Sequence, residues 1–427
     1  MRRGLNSTIL DAMINAGRYK PTNTRLFTWI VRNTYGLMLR ATYKAKAEGL
    51  ELFDTLKPPF ILIGNHTTLL DPFLANSFVP FPVHWVASDG NMRSPLMRFL
   101  LIKLVGSIPK SKAIPDIETV NWIVEFIRKR RGVVGFYPEG QSSWNGTAVP
   151  AFGSSAKLLK LLKAPVILAH SRGSYMTKPR WAYSRRKGRV ELGFSQLFSP
   201  ESLKALTVEE IDAALNAAIA HDDQAWAKAK GLVFRDSHRA ECLELALYAC
   251  PSCGALHTLH SSGTELSCSE CTAVFTYRED GAIEPLDGTG QGWKGVSPSC
   301  PGSVREWDSW QESHLEKLLA STYLPNPGRI VFQDTEVRLY QGRRMDTMDL
   351  LGRGTMRLTA QGITFAPLKG GETLFPLAEI SGPGVLKWNF FEFYIGKTVY
   401  RVKFSNRADS GRKYAVGLSL LSQLTAQ

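Results

Sequence analysis

From residue 60 to residue 194 short apolar runs alternate with longer stretches whose apolar positions recur every three or four residues. The runs FILIG (60–64), HWVA (84–87), VVGFY (133–137), PVILAH (165–170) and RVELGF (189–194) predict strands. Between them PLMRFLLIKLV (95–105), IETVNWIVEFIRKRR (117–131) and SSAKLLKLLK (154–163) predict helices. One long helix, TVEEIDAALNAAIAHDDQAWAKAK, is predicted to follow, with Thr207 and Glu210 as its capping box. This alternation predicts an α/β domain over 46–240, a mixed sheet flanked by helices, whose ligands lie beyond strand ends.

Upstream, residues 1–45 form an N-terminal segment with amphipathic helical patterning. In RLFTWIVRNTYGLMLRA, Leu26, Phe27, Ile30, Val31, Leu37 and Met38 share one face and Arg25, Arg32 and Arg40 the other, while Trp29 and Leu39 stray. Two readings stand equal here: a helix lying in a bilayer interface, or a helix covering the protein's own core. No charge-free apolar stretch approaches the roughly 18 residues of a spanning helix, and no signal-peptide pattern is present. The expectation is a cytoplasmic protein, peripheral on the membrane.

Past residue 245 the pattern changes. CPSCGALHTLHSSGTELSCSEC places Cys250, Cys253, Cys268 and Cys271 in two C-x2-C knuckles separated by 14 residues. Four thiolates at this spacing suit a tetrahedral structural Zn²⁺, so residues 245–282 read as a zinc ribbon, with disulfides or coincidence as the alternatives. His257 and His260 lie between the knuckles as rival ligands. Residues 283–328 read as a linker with a helix, SVREWDSWQESHLEKLLAS, capped by Ser303 and Glu306. Residues 329–427 are β-rich and close on a helix, SGRKYAVGLSLLSQL. In order of elements that region resembles a pleckstrin-homology (PH) or GRAM-type β domain, and with it as the working part the chain has the alternative reading of a non-catalytic lipid-binding, membrane-tethering protein.

Charge divides the chain. Residues 1–200 carry 29 Lys+Arg against 11 Asp+Glu (+18), and residues 201–427 carry 23 against 27 (−4). The basic half predicts an anionic partner, and the helix at 25–41 favours an anionic membrane surface. Nucleic acid is not expected, because residues 251–300 hold two basic and six acidic residues, the wrong sign for phosphate contacts.

The candidate chemistry sits in four short blocks. LIGNHTTLLDPF holds His66 and Asp71, a histidine and an aspartate five apart, directly after an apolar run. On a regular helix that step turns about 140° and puts them on different faces, and Asp71 before Pro72 is also an ordinary helix N-cap. The other blocks are VGSIPKSK (105–112), GFYPEGQSSWNG (135–146) and APVILAHSRGSY (164–175). Singly each is a common turn or loop. Together, in this order, they resemble the PlsC-type glycerolipid acyltransferases over roughly residues 25–235.

That family moves an acyl chain from acyl-CoA or acyl carrier protein, the acyl donor, to a hydroxyl of a lysophospholipid acceptor. Its H-x4-D motif matches His66 to Asp71, with Asn65 in place, and its second motif matches Gly106, Ile108 and Lys110. Its third matches Pro138, Glu139, Gly140 and Ser143, and its fourth Pro165 to Ala169. The resemblance implies His66 as the general base oriented by Asp71, and Lys110 and Lys112 as ligands of the acceptor phosphate. It also implies an acceptor site shaped by Glu139. Histidine suits the first role because its pKa lies nearest neutrality. Two positions depart from the family: Gln141 stands where it has threonine, and Ser142 where it has arginine. Lys112 or Arg172 would then supply the missing cation, or the acceptor headgroup differs from that of 1-acylglycerol-3-phosphate.

Overall fold

A computed structural model describes residues 24–111, 116–286 and 295–426. The apolar runs are strands. β1 (Lys46–Glu48), β2 (Phe60–Gly64), β3 (Val83–Ser88), β4 (Ile108–Lys110), β5 (Val133–Phe136), β6 (Val166–Arg172) and β7 (Glu191–Phe198) form a seven-stranded sheet ordered β1-β7-β6-β2-β5-β3-β4. β2 to β6 run parallel and β7 runs antiparallel to β6, so the sheet is mixed. β2 is buried on both faces, which is why FILIG reads as an unbroken apolar run. The three-residue strands β1 and β4 carry no such run and went unpredicted.

Both faces of the sheet are covered by helices. α1 (Arg25–Asn33), α2 (Tyr35–Thr42) and α3 (Asp71–Asn76) lie at the N-terminal side. Leu39 of α2 and Leu74 of α3 join Phe60 and Leu62 in one core. α4 (Ile117–Val124), α5 (Gly153–Leu162) and α6 (Val208–Ile219) cover the opposite face, where Ile123, Leu159 and Leu215 pack on Ile61 and Ile63. Alternate residues of β2 thus serve opposite cores.

Two predicted helices break. The single helix at 25–41 divides at Thr34, and Leu39, a stray from the amphipathic pattern, is its buried anchor. The expected apolar face faces outward: Leu26, Ile30, Leu37 and Met38 are exposed, as is Trp29. The long helix at 207–230 divides into α6 and α7 (Asp223–Ala229). Its break has a cause, since the buried Asp223 carboxylate accepts from the amides of Gly173, Tyr175 and Met176 and lies 2.6 Å from His221. Those tertiary partners outweigh one more helical turn.

A second sheet holds β8 (Leu259–Ser262), β9 (Glu265–Cys268), β10 (Val274–Tyr277) and β11 (Ile283–Pro285), antiparallel and in the order β11-β10-β9-β8. Against it packs α8 (Val304–Leu318), with Trp307 edge-on to Phe275 at 4.8 Å. Next come β12 (Phe332–Gly342), β13 (Asp349–Thr359), β14 (Gly362–Pro367), β15 (Thr373–Pro376), β16 (Ile380–Leu386), β17 (Phe390–Ile395), β18 (Thr398–Lys403) and the closing helix α9 (Gly411–Thr425). This third sheet is antiparallel and seven-stranded, ordered β15-β14-β13-β12-β18-β17-β16.

The third sheet is bound tightly to the first unit. Arg93, beyond β3, pairs with Glu392 of β17, and Glu392 also holds Arg401 of β18 at 2.6 Å. Arg344, in the turn between β12 and β13, bonds Glu118 of α4 at 2.7 Å. Arg180 donates to the carbonyl of Ser142 at 3.2 Å and to those of Val385 and Lys387 at the end of β16.

Candidate active site

β2 to β6 are parallel, so their C-terminal ends share one edge of the sheet, where a ligand crevice of an open α/β sheet forms. The last residue of β2, Gly64, has no room for a side chain: a Cβ there would stand 2.5 Å from the Ala169 carbonyl and 3.3 Å from the Tyr137 ring. Asn65 follows, fully buried. Its side-chain amide donates to the Ser171 carbonyl at 2.8 Å and its side-chain oxygen accepts from Ser171 N at 2.7 Å. Asn65 therefore fastens β2 to β6 and holds the start of the next turn.

His66 and Asp71 meet across that turn. Nδ1 of His66 lies 3.0 Å from Oδ2 of Asp71. The same oxygen accepts from the amides of Thr67 at 2.7 Å and Thr68 at 2.8 Å. The N-cap expectation for Asp71 is corrected here, because α3 starts at Asp71 with Leu70 as its N-cap. The carboxylate turns back toward the residues before it, where His66 and two amides converge, instead of capping its own helix. Burial raises the Asp71 carboxyl pKa, opposed by the bond and charge of His66 and by the two amides. A carboxylate accepting at Nδ1 fixes the proton there and leaves the Nε2 lone pair available as a base. The imidazole is 15% exposed, so a small part of the ring meets solvent. Its face stacks on Tyr137 at 4.3 Å, and Tyr137 stacks on Trp85 at 5.2 Å.

Glu139 acts on the backbone. One carboxylate oxygen accepts from His66 N at 2.6 Å and the other from Val149 N at 2.7 Å. Burial pushes its pKa up to about 8, with the Asp71 charge adding to the rise and the two amides opposing it. Gly140 takes φ +67°, and a Cβ there would lie 2.3 Å from the Phe152 ring. Ser143 is buried; its amide donates to the His66 carbonyl at 2.8 Å and its hydroxyl accepts from Gly146 N at 2.9 Å. The third block thus brackets His66 from both sides of its peptide.

The cations are spread along the edge. Lys110 ends β4 and is exposed, three strands from β2 and therefore about 14 Å away at the strand ends. Arg172 ends β6, next to β2, and bonds Glu48 at 3.1 Å. Lys112 lies outside the described residues. A cation that does reach Ser142, through its carbonyl, is Arg180, which sequence reading overlooked, and it is buried and held by carbonyls. Thr67, Thr68 and Tyr137 were also overlooked. Their signal was faint, since two of them act through backbone amides that any residue carries, and Tyr137 stands out only for its place before Pro138.

Near the second sheet the four thiols converge: Cys250 and Cys271 Sγ lie 3.7 Å apart, Cys253 and Cys268 Sγ 3.8 Å, and all four lie within 4.8 Å. A tetrahedron with Zn–S bonds near 2.3 Å has edges of about 3.8 Å, so the donor set fits that ion. His257 is engaged elsewhere, with Nε2 2.7 Å from Lys413 Nζ.

Above pH 8, where Glu139 is ionised, Glu139→Gln is expected to destabilise the fold by about 1–3 kcal/mol, because a carboxamide can accept from only one of the two buried amides and turns its NH₂ against the other. Chemical denaturation of both proteins measures this, and equal midpoints and slopes would contradict the two-amide grip.

Residues 44–169 match the family model described as Acyltransferase. Among solved structures, the chain is similar to the 1-acyl-sn-glycerophosphate (LPA) acyltransferase PlsC from Thermotoga maritima. That match is 18% identical, spans 47% of this chain and 81% of that one, and has a TM-score of 0.38. A chain of the 8S snRNP assembly intermediate aligns at 13% identity over 22% of this chain and 82% of that one, with a TM-score of 0.18. No curated protein matches.

Proposed function

We propose that this chain, whose residues 44–169 are an acyltransferase domain, moves a fatty acyl group from acyl-CoA or acyl carrier protein to the hydroxyl of a lysophospholipid. The preferred acceptor is 1-acylglycerol-3-phosphate, with glycerol-3-phosphate or another lysolipid as the alternative. The observation that carries the reading is the His66–Asp71 contact of 3.0 Å within the matched residues, which engages Nδ1 and leaves Nε2 to serve as the base.

In this mechanism Nε2 of His66 takes the acceptor's hydroxyl proton as its oxygen attacks the thioester carbonyl. A C–O bond forms, the C–S bond breaks, and the departing thiolate recovers the proton from His66. Asp71 holds the ring and offsets its transient positive charge, the logic of a Ser-His-Asp triad with the substrate supplying the hydroxyl. Lys110 and Lys112 are assigned to the acceptor phosphate, and Glu139 and Ser143 hold the His66 peptide.

The rest of the chain is read as support. No described helix is long and apolar enough to cross a membrane. The exposed Leu26, Trp29, Ile30, Leu37 and Met38, with three arginines nearby, favour contact with an anionic bilayer surface. Cys250, Cys253, Cys268 and Cys271 are assigned a structural zinc. The strand order of the third sheet and its closing α9 favour a PH- or GRAM-like module.

A panel of lysolipids with differing headgroups, presented in anionic and in neutral vesicles with labelled acyl-CoA, tests the reading. Acylation of lysophosphatidate above the others, and faster in anionic vesicles, is expected. Labelled product from none of the acceptors, with either acyl-CoA or acyl carrier protein as donor, would overturn it.

A further inference from the structure

The outer face of the third sheet carries like charges in direct register. Arg338 of β12 faces Arg353 of β13 on one side and Lys403 of β18 on the other. Like charges directly opposite in a sheet destabilise it. Arg353 is relieved by Glu336 at 2.9 Å. Arg338, Lys403 and the nearby Lys387 have no carboxylate at ion-pair distance among the described residues.

One pleat further on, the same face is neutralised from within. There Arg401 faces Glu392, which Arg93 of the acyltransferase domain also engages. The two rows differ in that Glu336, the anion of the first, reaches Arg353 and leaves Arg338 and Lys403 without a carboxylate. Lys387 and Lys403 gather instead over Phe390, at 5.9 and 5.2 Å from its centroid, and Lys403 stands 4.8 Å from that of Tyr340. Both lysines are half-buried. Burial and repulsion from Arg401 and their other basic neighbours lower the pKa of each.

This patch borders the loop after β3. Arg401 donates to the Gly90 carbonyl at 3.4 Å, and Leu386 packs against Gly90. Gly90 follows β3, which lies two strands, about 10 Å, from β2 and His66. Half-buried cations beside aromatic rings suit an anion that also carries a flat ring, and a nucleotide bearing several phosphates meets both conditions.

We propose that the outer face of the third sheet, where Arg338, Lys403 and Lys387 gather around Phe390 beside the loop after β3, binds the phosphates at the nucleotide end of the acyl donor. The thioester, at the far end of the donor's long flexible arm, then lies along the strand ends toward His66. The C-terminal module becomes part of the donor site. This rests on the acyl-CoA reading above and adds to it where the donor is held.

The test is calorimetric titration of the full chain with coenzyme A, with coenzyme A lacking its 3′-phosphate and with inorganic phosphate, in the wild type and in an Arg338→Ala, Lys403→Ala double variant. Coenzyme A is expected to bind the double variant at least tenfold more weakly. Removing the 3′-phosphate should weaken wild-type binding more than it weakens that of the variant. The KM for acyl-CoA should rise by the same factor with kcat and the acceptor KM unchanged, the signature of lost uniform binding. The melting temperature should stay equal or rise, since the substitutions remove repulsion and no ion pair, whereas a merely structural role would lower it.

Coenzyme A binding equally to both proteins, or not at all to the wild type, would overturn the proposal. So would inorganic phosphate matching coenzyme A in affinity, or a variant that loses only its hold on vesicles containing phosphorylated inositol lipids. A wild type that binds coenzyme A through these residues yet acylates no lysolipid keeps this site and removes the acceptor reading. Acylation with a donor KM unchanged in the variant does the reverse.

Discussion

Replacing His66 with alanine is expected to lower the acyl-transfer rate by about 10² to 10⁴-fold, the range contributed by a positioned general base. The fold should survive. Asp71 keeps the Thr67 and Thr68 amides, and the lost groups are one hydrogen bond and one ring face against Tyr137. Steady-state kinetics with labelled acyl-CoA, beside a thermal melt, measures both. Retention of more than about a tenth of the rate would remove His66 from the chemistry. A collapse in stability to match the rate would make the His66–Asp71 contact a structural device.

A comparable effect is expected at the thiol cluster. A single Zn²⁺ per chain should be recovered on metal analysis, and Cys250→Ser should release it and open residues 245–282 to protease. A four-strand unit of this size has little core of its own, and a structural zinc of this type supplies on the order of 10 kcal/mol of folding free energy. The disturbance should spread, because Trp307 packs on Phe275 and Lys413 of α9 bonds His257. Metal-free protein whose residues 245–282 resist protease as those of the wild type do would show that packing against α8 and α9 suffices without an ion.

Much of this was legible because it is local. β2 announces itself through five consecutive apolar residues, a consequence of burial on both faces. The cysteine knuckles are legible for a similar reason, since a four-thiol cluster built on two turns draws cysteines three positions apart from each. His66 and Asp71 were legible as a pair, and their spacing excluded a shared helix face. Whether Asp71 caps α3 or turns back was not legible, because that depends on which amides converge on its carboxylate after the chain has folded.

The chain by itself therefore determined the alternation of strands and helices, the separation of basic and acidic halves, and the residue types from which a base and a metal site can be made. These follow from periodicity, charge count and short spacings, none of which needs a distant partner. Only the tertiary structure decided what the side chains do. Glu139, seventy-three positions from His66, grips its amide, and Asp223 abandons a continuous helix for three amides after β6. Arg338 and Lys403 become neighbours because β12 and β18 pair, and Glu392 reaches Arg93 because the third sheet docks on the loop after β3. Each is a contact between residues far apart in the chain, and a buried charge takes the partner that the assembled fold leaves within hydrogen-bond distance.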